Sequence, residues 1–237
     1  MSSYEEMGDF LKRYETYKTQ TQQDALGQFT RAFNRLRPAY EALQRQVLEA
    51  ARLHAPQFNI FRLLGVAHLE VTTHSAFLAS LLQPDGPHGQ QYLFLESFLA
   101  CCQNFAGFPQ LDDPLTEGEW TIQTERKTAH GNLDIVIASP TFGYLLVIEN
   151  KVYAGEQDRQ LERYASWLDE QLDEFPNQAL VYLTPRGTAA WTSIDDNYFR
   201  LSYRQDIAAW LNSIMDQIAA PAVRETVRQY RHLVMSL

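Results

Sequence analysis

The order of patterned segments predicts an α/β protein: an α/β/α sandwich around a central mixed β-sheet, preceded by a helical extension. Three observations carry this expectation. Two hairpin-like stretches follow one another between Thr121 and Ile148. A helical pattern over residues 156–173 separates them from a further strand pattern at Gln178–Thr184. Helical periodicity fills both ends of the chain. Hairpins supply antiparallel strands, whereas a strand, helix, strand unit brings the chain back parallel, so the sheet is expected to be mixed.

Residues 22–54 read as one or two helices, because Leu26, Phe29, Phe33, Leu36, Tyr40, Leu43, Val47 and Leu48 recur at helical spacing. Pro38 lacks an N–H and its ring clashes with the preceding turn, so a break or kink is expected there. The stripe is expected to pack on the core, with dimerisation as the competing role; it is too irregular for a long heptad zipper. The helical extension is set at residues 1–55 and the main domain at 56–237. Residues 70–82 form the next helix, stopped by Pro84-Asp85-Gly86-Pro87, and His74-Ser75 reads as its cap, or His74 as a partner of Glu70. Residues 91–105 form a third helix, with Leu93, Phe94, Phe98 and Leu99 on its apolar face. After the hairpins, helix 156–173 sets Gln160 and Tyr164 one above the other at i, i+4. Strands at Gln178–Thr184 and Tyr198–Tyr203 follow, then helices near 204–217 and 221–236.

Charges flank the apolar core of the second hairpin. Ile135-Val136-Ile137 and Leu145-Leu146-Val147-Ile148 are its strands, with Ser139, Pro140 and Gly143 as turn residues. A turn centred on Thr141 and Phe142 sets Asp134 opposite Glu149, and strand alternation puts Lys151 on the face of Glu149 and Asn150 on the other. In the first hairpin, Thr121–Lys127 pairs through a turn centred on Ala129 and His130, which places Glu125 opposite Asp134; a slip of one residue would send it to the other face. Carboxylates this close repel, and burying an uncompensated charge is costly. Lys151 supplies one positive charge. The remaining environment of carboxylates, a backbone carbonyl and water suits Mg²⁺ or Mn²⁺, which points to metal-assisted phosphodiester hydrolysis. The competing reading is a salt-bridge ladder at a sheet end; the unbroken apolar run Leu145–Ile148 opposes it, because it marks a central strand covered on both faces.

Asp134 followed by Glu149-Asn150-Lys151 resembles the signature of the PD-(D/E)XK nuclease superfamily. Gln157-Asp158-Arg159-Gln160-Leu161-Glu162-Arg163-Tyr164 is similar to the Q-x-x-x-Y element of its RecB-like exonuclease branch, with Gln160 and Tyr164 at the named positions. The stretch from Glu70 to Gly89 is similar to the opening block of a bacterial subfamily, and the likeness covers residues 58–185. Leu133 stands where the family usually carries Pro. The resemblance implies a restriction-endonuclease-like fold. It implies that Asp134, Glu149 and the main-chain carbonyl of Asn150 bind the metal, that Lys151 assists the attacking water, and that Gln160 and Tyr164 orient the lysine, the metal shell or the substrate backbone. Glu70 and Glu125 are candidates for a further carboxylate. The implied activity is a Mg²⁺- or Mn²⁺-dependent nuclease acting on DNA rather than RNA, in bacterial restriction or phage defence; apart from the resemblance, a second copy or an activating protein is a candidate partner. The alternative is a catalytically silent module of the same fold that binds nucleic acid or protein.

Composition sets outer limits. With 237 residues and 45% hydrophobic side chains the chain is long enough for a well-buried core. The formal net charge of −9 argues against binding nucleic acid over the whole surface, though not against a local basic patch. Lys12, Arg13, Lys18, Arg31, Arg35, Arg37, Arg45 and Arg52 make the N-terminal segment comparatively basic, as Arg224, Arg228 and Arg231 do the last helix; solvated helix faces account for both. The adjacent Cys101 and Cys102 cannot form a disulfide framework and read as buried small residues. No apolar run has spanning length and Met1–Glu6 does not read as a signal peptide, so a cytoplasmic protein without membrane contact is expected. His68, His74, His88 and the cysteines match no compact zinc template. Neither a G-x-S-x-G elbow nor a P-loop is present. Trp191 reads as a loop anchor, with base stacking as the competing role.

Overall fold

Five strands form one sheet in chain order, β1-β2-β3-β4-β5. β1 (Thr121–Thr128), β2 (Gly131–Ser139) and β3 (Tyr144–Asn150) pair antiparallel, and β4 (Asn177–Thr184) and β5 (Phe199–Ser202) continue parallel to β3. The computed structural model describes residues 2–55, 57–195 and 197–237, and the chain divides into two compact units, Met1–Phe58 and Asn59–Leu237.

All seven residues of β3 are buried, as the continuous apolar run requires of a central strand. Period-two alternation then divides the sheet into two cores. Ile135, Ile137, Leu146, Ile148 and Val181 face a layer holding α3 (Ala76–Leu82), α4 (Leu93–Cys102), α6 (Ala208–Ser213) and α7 (Pro221–Val234). Val136, Leu145, Val147 and Leu180 face α5 (Gln160–Asp169) through Leu161, Tyr164, Trp167 and Leu168. A short helix, α2 (Ile60–Leu63), contacts α7. Helices on both faces of a mixed sheet make the α/β/α sandwich that the segment order predicts. The β2–β3 turn needs Gly143: its φ is +55°, and a Cβ there would lie 2.8 Å from Pro176 Cδ.

The N-terminal unit is built on one helix, α1 (Ser2–His54), about 80 Å long at the α-helical rise. One expectation fails here. Pro38 lies inside α1 and does not break it; it forfeits one intrahelical hydrogen bond, while good helix formers on either side, such as Ala39, Leu36 and Glu41, keep the backbone helical. On its apolar stripe Leu26, Phe29, Leu36 and Tyr40 are each at least 60% exposed.

Smaller departures occur in the second unit. Helix 70–82 begins as a π-helical stretch, Glu70–Ser75, before becoming α3, so His74 and Ser75 lie within the helical path and neither caps it. Helix 91–105 shortens to Leu93–Cys102. Helix 156–173 shortens to Gln160–Asp169, because residues ahead of Gln160 are drawn into hydrogen bonds with Trp191 and Thr192. The strand expected at Tyr198–Tyr203 is Phe199–Ser202, and helix 204–217 divides into a π-helical Tyr203–Ile207, then α6, then a 3₁₀ turn at Met215–Gln217.

Candidate active site

The site lies where β3 ends. The β2–β3 register pairs Ile135 with Ile148, so the next pair outward is Asp134 and Glu149, as the turn position predicts. The ladder stops there. In place of a further backbone bond, Asp134 Oδ2 accepts the Asn150 N–H at 2.7 Å, which fastens the carboxylate to the end of β3. N–H and C=O of an extended residue point the same way, so the Asn150 carbonyl also faces the Asp134 side. The Lys151 N–H turns the other way and donates to the Leu183 carbonyl of β4.

Glu149 has no solvent exposure. Its Oε1 meets Lys151 Nζ at 2.7 Å and accepts from Gln160 Nε2 at 2.8 Å, while Oε2 is buried without a partner. Gln160, the first residue of α5, also donates to Tyr164 Oη at 2.9 Å, and Tyr164 Oη donates to the Asn132 carbonyl at 2.5 Å. The i, i+4 stacking on α5 thus runs from Glu149 to the β1–β2 turn. Gly131 makes this approach possible: its φ is +132°, and a Cβ would sit 3.2 Å from Tyr164 Cε1.

Burial pushes the Asp134 carboxyl above its ordinary range; the Asn150 N–H and Lys151 oppose this, and the charges of Glu125 and Glu70 add to it. Glu149 is raised further, first by burial and then by the Asp134 charge. Burial alone would lower Lys151, but Glu149 reverses this and its pKa rises. The acid pair therefore holds a proton more tightly than carboxylates in water do.

Glu125 falls at the expected register, since Thr124 pairs with Ile135 and Arg126 with Leu133. The pair Glu125–Asp134 is missing from that ladder, and Glu125 has φ +54°, a left-handed conformation unusual for a residue with a side chain. The side-chain alternation shifts with it: Leu133 and Val136, three apart, both face the α5 core. Glu125 Oε1 is buried without a partner. Glu70 has both oxygens engaged, by the Val152 and Ala154 N–H groups at 2.7 Å each.

Behind β3, on the face opposite Glu149, a buried polar chain escaped the sequence reading. Asn150 Nδ2 donates to Ser75 Oγ at 3.0 Å, and Tyr203 Oη donates to Asn150 Oδ1 at 3.0 Å. His74 Nε2 donates to the Ala67 carbonyl, which leaves Nδ1 as acceptor of the Tyr230 hydroxyl at 3.0 Å. Burial lowers the His74 pKa, in keeping with this neutral form. His74 is thus bound to Tyr230 and not to Glu70. His88 is engaged separately, by the Gln83 carbonyl and the Gln90 N–H. The only sequence signal for this chain is the polar run Thr72-Thr73-His74-Ser75 ahead of the apolar Ala76-Phe77-Leu78. Glu156 was also missed; it accepts from Tyr182 Oη, the Trp191 N–H and the Thr192 N–H. Trp191 itself is 79% exposed, so its side chain anchors nothing.

No helix among the described residues is long and apolar enough to cross a membrane. Comparison with curated proteins and with solved structures returned no match. The family model described as the PD-(D/E)XK nuclease superfamily matches residues 58–235. That span takes in the whole five-stranded sheet, both helical layers and the Asp134, Glu149 and Lys151 cluster, and on this match the chain belongs to the PD-(D/E)XK nuclease superfamily.

Proposed function

We propose that the protein is a divalent-metal-dependent nuclease that hydrolyses phosphodiester bonds in DNA. The superfamily already implies a nuclease and a nucleic-acid substrate. The observation that carries the finer reading is the buried carboxylate pair Asp134 and Glu149 beside Lys151, with Glu149 Oε2 unpartnered inside the protein. A buried acceptor in want of a positive partner is what a cation site offers.

The donors fit Mg²⁺ or Mn²⁺, which take hard oxygen ligands. Asp134, Glu149 and the Asn150 carbonyl would hold the ion. Among the described residues no three His, Cys, Asp or Glu side chains converge on one point, so water would complete the shell, in the manner usual for Mg²⁺. Glu125 is the nearer candidate for a further carboxylate, because it has a free buried oxygen, whereas both oxygens of Glu70 hold backbone N–H groups. When bound, the cation supplies Lewis-acid stabilisation of charge building on the phosphate.

The protein's own groups do the rest. Lys151 orients the attacking water and offsets negative charge in the transition state. Gln160 holds Glu149 Oε1 and so fixes the direction of Oε2; Tyr164 fixes Gln160. The likeness to the RecB-like branch favours DNA over RNA, in bacterial restriction or phage defence. Assembly with a second copy or an activating protein is assigned to the exposed apolar side chains of α1; light scattering on the full chain and on residues 59–237 tests this by mass.

The deciding assay is cleavage of single-stranded, duplex and circular DNA and of RNA with Mg²⁺ or Mn²⁺, with EDTA as control. Glu149→Ala and Lys151→Ala are each expected to lose activity, by about 10²-fold or more. Cleavage at wild-type rates by both variants would refute the assignment.

A further inference from the structure

Two large aromatic side chains stand in solvent on the loops that leave β3 and β4. Tyr153 is 63% exposed and Trp191 79%. Both loops leave the carboxyl ends of parallel strands, the edge that carries Glu149 and Lys151 and the usual place for ligands in an open α/β sheet. Exposed rings in mobile loops would mean little, but both backbones are clamped. Glu70 accepts the N–H groups on either side of Tyr153, those of Val152 and Ala154. Glu156 accepts the N–H groups of Trp191 and Thr192 together with Thr192 Oγ1. The Ala190 N–H donates to Tyr198 Oη, which secures the other side of Trp191.

In each case a carboxylate fixes the backbone while most of the aromatic residue stays in solvent. Glu156 also accepts from Tyr182 Oη, and Tyr182 lies across the β3–β4 register from Glu149. The Trp191 loop is thereby tied to the strand pair that carries the site. Holding an apolar ring in water forgoes the stability that burying it would supply, so a fixed, exposed ring beside a catalytic edge points to a ligand with a flat apolar face. With a nucleic acid as substrate, that ligand is a nucleobase, and only an unpaired base offers its face.

We infer that Tyr153 and Trp191 form a stacking platform for unpaired bases of the strand presented to Lys151, so that the substrate is single-stranded or locally opened nucleic acid. This deepens the nuclease reading and rests on it. The test is direct, because Trp120, Trp167 and Trp210 are at most 9% exposed and quencher-accessible emission belongs to Trp191. Full-length protein in EDTA is titrated with oligothymidylate and oligouridylate of about 12 nucleotides, and with a blunt duplex of equal length. The single strands are expected to quench this emission and shield it from acrylamide, with the DNA and RNA arms separating the two sources. Trp191→Ala and Tyr153→Ala should each raise the single-strand Kd by roughly 5- to 100-fold and leave duplex binding unchanged.

Equal quenching by duplex and single strand would overturn the inference. So would single-strand binding that neither variant weakens. If metal-dependent cleavage persists in either of these cases, the nuclease reading stands and the platform alone fails. If wild type neither binds nor cleaves any nucleic acid, both readings fall.

Discussion

Glu149 shows how a single buried side chain can oppose stability. Its carboxyl is buried beside Asp134 and its pKa is raised in the fold. Between the ordinary carboxylate range and that raised value the native state binds more protons than the unfolded chain, so the contribution of Glu149 to stability falls as pH rises. Glu149→Gln removes this slope. In EDTA, wild type should lose stability relative to Glu149→Gln by about 1 kcal/mol or more between about pH 5 and about pH 8. Saturating Mg²⁺ should narrow the gap from the high-pH side, since it binds the ionised site. Urea unfolding of both proteins across that range measures the effect, and a gap that does not vary with pH would contradict it. Glu125 is strained in its backbone instead. Its φ of +54° suits glycine, so Glu125→Gly should raise Tm by a few degrees, and a lowered Tm would show that the carboxylate itself stabilises the fold. Coupled loss of Mg²⁺-dependent cleavage would place the Glu125 carboxylate in the metal site.

At the scale of elements, α5 and the end of β3 act together. Gln160 begins α5, so its amide reaches Glu149 from a fixed helix end, and Tyr164 ties the same helix to the β1–β2 turn. Gln160→Ala leaves Glu149 Oε1 with Lys151 alone and should lower kcat about 10-fold or more, with a smaller change in KM. Tyr164→Phe, which keeps the ring but loses its hydroxyl, should have a milder effect on kcat. A change confined to KM in both variants would move these residues from orienting the site to binding substrate. On the opposite face, Tyr203→Phe leaves Asn150 Oδ1 buried without a donor, at a cost of about 1–3 kcal/mol, read by denaturant midpoint. Asn150 joins the two faces: its side chain belongs to the Ser75 and Tyr203 chain, and its backbone N–H holds Asp134.

For the molecule as a whole, the two units differ in how they are stabilised. Among the described residues, every buried hydrophobic side chain of the core lies at Leu78 or beyond, within Asn59–Leu237. Removing residues 1–55 takes away no core residue among those described. The remaining chain should unfold cooperatively with a Tm within a few degrees of the full protein, as calorimetry can check; a large drop would mean that α1 stabilises the sandwich. The net charge of −9 bears on the same scale, because an acidic molecule gains little from broad phosphate neutralisation. Binding is then expected to rest on a few contacts at the site edge.

The sequence by itself determined the mixed sheet and the register of both hairpins, since apolar runs with period two and Gly or Pro turns are local signals; the place of β5 at the sheet edge came only with the structure. It also brought Asp134, Glu149 and Lys151 to one neighbourhood, because residues symmetric about a tight turn must meet. Some features lie beyond local signals. The left-handed turn at Glu125 breaks the ladder without altering the count of residues, so no pattern in the sequence reveals it. The Ser75, Asn150, Tyr203 and Tyr230 contacts join residues up to 156 apart with His74, and polar residues separated so widely carry no periodicity. The exposure of Trp191 was likewise settled only in three dimensions. Hydrophobic spacing states that a face is apolar, whereas the tertiary structure decides whether anything covers it.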